Sequence, residues 1–274
     1  MSDFAVLVFP DIDPVVFSIG PFAVRWYAVS YIAGLIFASW YMKRLVRAEG
    51  LWGGTRPTMT PQQVDDFFVW SVLGVVLGGR IGYVLFYNPL HYLAAPLDTF
   101  RVWDGGMSFH GGFLGVVVAC WFFGRRIGAG LDQMLDLGAA SVPVGLGLGR
   151  LANFINGELW GRQADVPWAM VFPSDDLGLP RHPSQLYEAV LEGLVLFVLV
   201  RIATHRFTAL KYPGRAAGIF ALWYGLSRIL VEFFREPDRQ LGTFAGFITM
   251  GMILSLPLCA VGVWLLLRSR RDAA

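Results

Sequence analysis

Cysteine and charge are both scarce in this chain. Its two cysteines, Cys120 and Cys259, lie inside apolar runs, which excludes a disulfide scaffold and leaves core packing as their role. Its four histidines show no i, i+3 or i+4 spacing, so no metal centre is expected. Charged residues make up 15%, where soluble globular proteins carry about 25%. The net charge of +2 is too small to suggest a nucleic-acid partner. No basic residue precedes Arg25, whereas a cleavable export signal opens with positive charge. Internal repeats, low-complexity tracts and linkers are also missing, so residues 1–274 read as one domain.

What the chain does have is apolar length: 55% of 274 residues are hydrophobic. At about 20 residues per crossing, that composition describes an integral membrane protein. The expected spans are roughly Pro21–Met42, Phe67–Tyr87, Ser108–Gly124, Leu135–Leu151, Leu186–Ala203, Ala217–Phe234 and Phe244–Leu267. Basic clusters follow the first, third, fifth and seventh: Lys43/Arg44/Arg47, Arg125/Arg126, His205/Arg206/Lys211/Arg215 and Arg268/Arg270/Arg271. The positive-inside rule then puts the N-terminus outside and the C-terminus in the cytoplasm. The fold class expected is an all-α polytopic membrane protein of seven transmembrane helices. A small ordered cap is expected on the outer face, over about 152–185, with Pro167, Pro173, Pro180 and Pro183 among Trp and Asp residues.

Charges inside these spans carry the functional signal. Arg80, Arg150, Arg228 and Glu232 all interrupt apolar runs. Facing lipid, each would cost about 2.5–3.5 kcal/mol, so they are expected to face one another across a protein-lined cavity. Arg25, near the start of the first span, reads as a snorkelling residue instead. The glycines around Arg80 point to tight helix packing as much as to chemistry. Tyr224, Arg228, Glu232 and Arg235 recur at intervals of four, four and three, and so share one helix face. Glu232 can hold Arg228 in one rotamer while its remaining N–H groups stay free for a ligand. Guanidinium groups match phosphate oxygens with a planar fork, so Arg150 and Arg228 together would clamp a phosphate, and at that depth the phosphate belongs to a lipid headgroup. Asn153, Asn156 and Glu158 follow Arg150 and suit a glycerol-type headgroup or a peptide backbone. His110, at the outer mouth of the third span, reads either as a proton acceptor or as a hydrogen-bonded interfacial histidine.

Five stretches carry a family resemblance. They are Gly78-Gly-Arg-Ile-Gly-Tyr-Val-Leu-Phe-Tyr-Asn88, Met107-Ser-Phe-His-Gly-Gly112, Gly149-Arg-Leu-Ala-Asn-Phe-Ile-Asn-Gly-Glu-Leu-Trp-Gly-Arg162, His182-Pro-Ser-Gln-Leu-Tyr-Glu188 and Val231-Glu-Phe-Phe-Arg-Glu-Pro-Asp238. In order, and over nearly the whole chain, the sequence resembles the bacterial prolipoprotein diacylglyceryl transferases. The resemblance implies a seven-span inner-membrane enzyme that acts on phosphatidylglycerol and on prolipoprotein signal peptides. It moves the sn-1,2-diacylglyceryl group onto the thiol of the lipobox cysteine, forming a thioether and releasing glycerol 1-phosphate. Membrane lipids are its surroundings, and no cofactor is implied, because the lipid phosphodiester already contains its leaving group. By motif, Arg150 matches the family's phosphatidylglycerol-binding arginine and Arg228 its second essential arginine. Tyr27, His110, Asn153, Glu158, Gly161, Tyr224, Glu232 and Arg235 match other positions important to activity. His110 is then the candidate base, ahead of Glu232 or Glu158. A transporter or flippase for a phosphate-bearing lipid is the alternative reading, but neither an inverted repeat nor paired broken helices support it.

Overall fold

A computed structural model describes residues 7–237 and 248–271. It is predominantly helical. The helices are α1 (Trp26–Arg47), α2 (Pro61–Phe86), α3 (Pro89–Ala94), α4 (Phe109–Ile127), α5 (Leu131–Ser141), α6 (Pro143–Ile155), α7 (Ser184–Glu188), α8 (Leu196–Arg206), α9 (Arg215–Glu232) and α10 (Met250–Arg271). A π-helical segment, Ala189–Val195, joins α7 to α8. Two helical stretches, Pro61–Phe86 and Met250–Ser269, are long and apolar enough to cross a membrane by themselves.

The helix ends follow local chemistry. At the start of α2, Thr60 and Gln63 cap each other reciprocally, at 2.8 and 3.2 Å, with Pro61 in the first turn. Ser108 caps α4 by accepting from the Gly111 N–H, and Gly128 closes that helix in the left-handed region. The N-terminus of α9 is capped from another helix: buried Asp136 accepts from the Gly214 and Ala217 N–H groups, both at 2.7 Å.

Four expectations are corrected in detail. The all-α reading omits two short antiparallel hairpins, β1–β2 (Val15–Ile19 with Phe22–Arg25) and β3–β4 (Met170–Val171 with Pro180–Arg181). The first of these holds Pro21–Arg25, so the first helix begins at Trp26 rather than Pro21. The fourth apolar run is two helices, because Pro143 has no N–H to give and its ring opposes the carbonyl four residues back. Arg80 does not join the other intramembrane charges. It donates to the carbonyls of Asp98, Thr99, Gly105 and Gly106 at 2.5–3.2 Å, stapling the connection between α2 and α4. Residues 238–247, which hold most of the connection between the expected sixth and seventh spans and the start of the seventh, lie outside the described residues.

Burial runs inside out. Large apolar side chains such as Leu73, Leu77, Ile81, Leu226 and Leu256 are exposed, while Asp136, Gln185, Glu188, Glu192 and Glu232 are buried. Lipid is the solvent that favours that exchange. The dense apolar core gathers Met42, Leu45, Trp52, Phe67, Phe123, Met134 and Leu196 at one end of the bundle. The other end holds the polar residues described next.

The stretch expected to form a cap leaves helix α6 at Asn156 and is ordered around Arg181. That side chain is held by Asp175 at 2.6 and 3.0 Å, lies 3.8 Å from the Trp160 ring centroid, and reaches Glu236 at 3.3 Å. Hydrogen bonding from Arg181 holds the Asp175 carboxyl below the usual carboxylate range. A carboxyl depressed on folding stabilises fully above its unfolded pKa of about 3.9 and loses that contribution as pH falls through the lower folded value. Hydrogen exchange of residues 157–182, corrected for intrinsic rates, should therefore stay slow to about pH 4 and quicken below it. In Asp175→Asn the same segment should already be fast at neutral pH. Equal protection in mutant and wild type would show that the pair does not hold this segment.

Candidate functional site

Three arginines and three glutamates meet where α6, α7, the π segment and α9 pack together. Arg150 comes from α6, Glu188 ends α7, Glu192 lies in the π segment, and Arg228 and Glu232 lie near the end of α9. The close approach of α6 to the π segment depends on two glycines. A Cβ on Gly193 would stand 2.6 Å from the Gly147 Cα, so no other residue lets these backbones touch. That contact sets Arg150 against Glu192.

Glu188 is the hub. Its Oε2 lies 3.1 Å from Arg150 Nε, and its Oε1 accepts from Arg228 Nη1 at 2.5 Å and from Arg235 Nη1 at 3.3 Å. Arg150 also reaches Glu192 Oε2 at 3.3 Å, and Arg228 Nη2 reaches Glu232 Oε1 at 2.5 Å, one helical turn away. All three glutamates are buried. Arg150 and Arg228, from different helices, thus grip opposite oxygens of one carboxylate. The geometry is a receptor for a bridging oxyanion, with a protein carboxylate now in that place.

A second hydrogen-bonded chain adjoins it. Asn153, one turn beyond Arg150, donates from Nδ2 to the Tyr27 hydroxyl at 3.0 Å and to Glu158 Oε1 at 2.8 Å; Asn156 reaches the same oxygen at 3.4 Å. Tyr27 in turn stands beside Tyr31, ring centroids 5.2 Å apart. Hydroxyl, amide and carboxylate here present both donors and acceptors, as hydroxylated ligands require.

Gly161 and Arg235 form a backbone bridge, and the Gly161 N–H donates to His182 O at 2.8 Å. A Cβ at 161 would come within 2.7 Å of the His182 Cβ, so this glycine is a ledge that seats Arg235. Tyr224 lies two turns before Glu232 on α9, stacked on Phe220. His110 is set apart. It is exposed in the first turn of α4, edge-on to Phe109, and among the described residues no hydrogen bond or ion pair joins it to the cluster. The described residues include no group of three His, Cys, Asp or Glu side chains that could hold a metal ion.

The spacing argument missed Glu188 and Glu192. Both lie in the run taken as the start of the fifth span. A signal was present: they are two acids four residues apart in an apolar run, facing arginines that had only Glu232 to balance them.

Known proteins resemble this chain over nearly its whole length. A family described as prolipoprotein diacylglyceryl transferase matches residues 14–268. A Brucella anthropi protein named phosphatidylglycerol–prolipoprotein diacylglyceryl transferase is 56% identical, over 98% of this chain and 96% of that protein. Relatives with the same name from Brucella canis (56%) and Brucella melitensis biotype 2 (55%) match over the same shares. These matches do not favour a transporter. With the arginines, Asn153 and Glu158 all inside the matched region, the chain belongs to the prolipoprotein diacylglyceryl transferase family, a family of membrane enzymes.

Proposed function

We propose that this enzyme transfers the sn-1,2-diacylglyceryl group of phosphatidylglycerol to the thiol of a prolipoprotein's lipobox cysteine. One observation carries the reading: Arg150 and Arg228 converge on opposite oxygens of a single carboxylate, the spacing a phosphodiester needs. Phosphatidylglycerol puts its phosphate in that grip, displacing Glu188. Its glycerol hydroxyls meet Tyr27, Asn153 and Glu158, while Tyr224 closes the α9 side. The sulphur attacks the glycerol C3 carbon, the C3–O bond breaks, and its electron pair passes to the phosphate oxygen of departing glycerol 1-phosphate. Preorganised guanidinium groups stabilise that growing charge in a water-poor site. Only the thiolate is a competent nucleophile. His110 takes its proton, being open at the mouth of α4 to an incoming peptide, while Glu232 holds Arg228 and Arg235 keeps the displaced Glu188 carboxylate.

The surroundings follow. Seven helical stretches, counting α5 with α6 and α7 with α8 and leaving out the six-residue α3, span the bacterial inner membrane as one domain over 1–274, bathed in membrane lipid. The N-terminus and the 156–183 cap face the periplasm and the C-terminus the cytoplasm, in keeping with the alternating basic flanks. Purified protein incubated with phosphatidylglycerol and a lipobox peptide should yield, by mass spectrometry, a peptide heavier by one diacylglyceryl group. A cysteine-to-serine peptide should yield none. Lipid movement between leaflets with no thioether product would overturn the assignment.

A further inference from the structure

Glu192 has no role in the steps above, yet its surroundings are the more demanding. Its side chain is fully buried and its Oε2 is reached by Arg150 at 3.3 and 3.4 Å, but its Oε1 has no hydrogen-bond partner among the described residues. The charged and titratable groups facing it are Arg150 from α6, Glu188 from α7, and Arg228 and Tyr224 from α9. On α8, Arg201 and His205 bond to each other, and Arg201 to Tyr41. Glu192 therefore depends on a guanidinium that Glu188 also holds, whereas Glu188 is served by three.

Among the described residues, Arg150, Arg228 and Arg235 stand against Glu188, Glu192 and Glu232. A phosphodiester brings one more negative charge and stays ionised across the neutral range. Seated between Arg150 and Arg228, it draws Arg150 away from Glu192 in a water-poor site. A buried carboxylate that loses its partner takes up a proton. Glu188 Oε2 and Glu192 Oε1 both lack a hydrogen bond, but Glu188 Oε2 still stands 3.1 Å from Arg150 Nε, whereas no arginine among the described residues is paired with Glu192 Oε1.

Resting on the reading of this cluster as a headgroup clamp, we propose that phosphatidylglycerol binding is coupled to the uptake of one proton by Glu192. The proton adds to Oε1 and the acid releases Arg150, whose fork turns to the phosphate. Glu192 is thus a positioning residue acting through Arg150. The sign follows from linkage: a ligand that brings a proton with it binds more weakly as pH rises, by up to about tenfold per pH unit.

The test uses the full chain in phosphatidylcholine nanodiscs, titrated with short-chain phosphatidylglycerol. Calorimetry in two buffers of low and high ionisation enthalpy gives the protons taken up per lipid bound. The wild type should take up about one. Glu192→Gln, neutral beforehand, should bind with no uptake and with an affinity flat in pH. Wild-type binding without proton exchange would overturn the coupling and leave the clamp standing. Uptake that persists in Glu192→Gln and disappears in Glu188→Gln would move the proton to the wrong carboxylate and also overturn it. No binding by the wild type would remove the clamp itself, and the coupling with it. Should Glu192→Gln fail to fold, Glu188→Gln decides: uptake kept in that variant supports the coupling, and uptake lost in it overturns the assignment to Glu192.

Discussion

Arg150→Ala and Arg228→Ala should each reduce thioether formation at least a hundredfold. Loss of one preorganised donor to a developing oxyanion costs about 10²–10³ in rate, and each arginine supplies more than one N–H. Truncation does a second kind of damage. Without Arg150, Glu192 loses its counter-charge, and Glu188 loses one of three; removing one partner of a buried pair costs about 3–5 kcal/mol. Lysine separates the two effects. Arg150→Lys and Arg228→Lys keep the positive charge but present a point rather than a fork, so the fold should hold while transfer stays deeply impaired. The measurement is product mass per unit time, alongside gel-filtration behaviour of each purified variant. Wild-type rates in either alanine variant would remove the clamp from the mechanism.

The second large effect is on assembly. On α2, Gly74, Gly78 and Gly82 recur every four residues and meet Gly111 and Gly115 of α4. A Cβ on Gly115 would overlap the Gly74 carbonyl oxygen and lie 3.1 Å from the Gly78 Cα. Backbone cannot swing aside as a side chain does, so the helices must separate. Gly115→Val should cost about 3 kcal/mol or more, at the upper end of overpacking penalties, and leave little folded protein. Gly138 in α5 supplies the contrast, since a Cβ there meets nothing within 4 Å. Gly138→Ala should be neutral or stabilising by up to about 1 kcal/mol, because alanine favours the helix. Thermal unfolding in detergent, followed by fluorescence-detected gel filtration, distinguishes them. Equal melting temperatures for the two variants would refute the packing account.

Much of this site was legible in the chain because lipid makes charge expensive. Arg150, Arg228 and Glu232 stand out against apolar neighbours, and the spacing from Tyr224 to Glu232 does put acid and arginine on one face of α9, whereas Arg235 lies past the helix end in a bridge to Gly161. Other features depend on contacts between residues far apart in sequence. Arg80 carries the same signal as Arg150, yet its donors go to backbone carbonyls that only the folded α2–α4 connection brings within reach. Glu188 was hidden by position: at the start of a hydrophobic run it resembles an interfacial residue, and its burial comes from α6 and α9 closing over it. The break at Pro143 was readable from proline's missing donor. The π segment was not, because a pattern of apolar residues sets no single hydrogen-bond spacing.

That segment shapes the whole continuous helix from α7 to α8. In a regular α-helix each residue advances about 100° around the axis, so Glu188 and Glu192 would sit about 40° apart. In the wider i→i+5 turns each residue advances less, so Glu192 is carried back around the axis relative to Glu188. The widening also sets the phase between the acids on one side and Leu196 and Val200 in the apolar core on the other. Deleting a single residue from 189–195 would restore ordinary winding and misalign one half against the other. In this helix, chain length itself is a determinant of where the acids point.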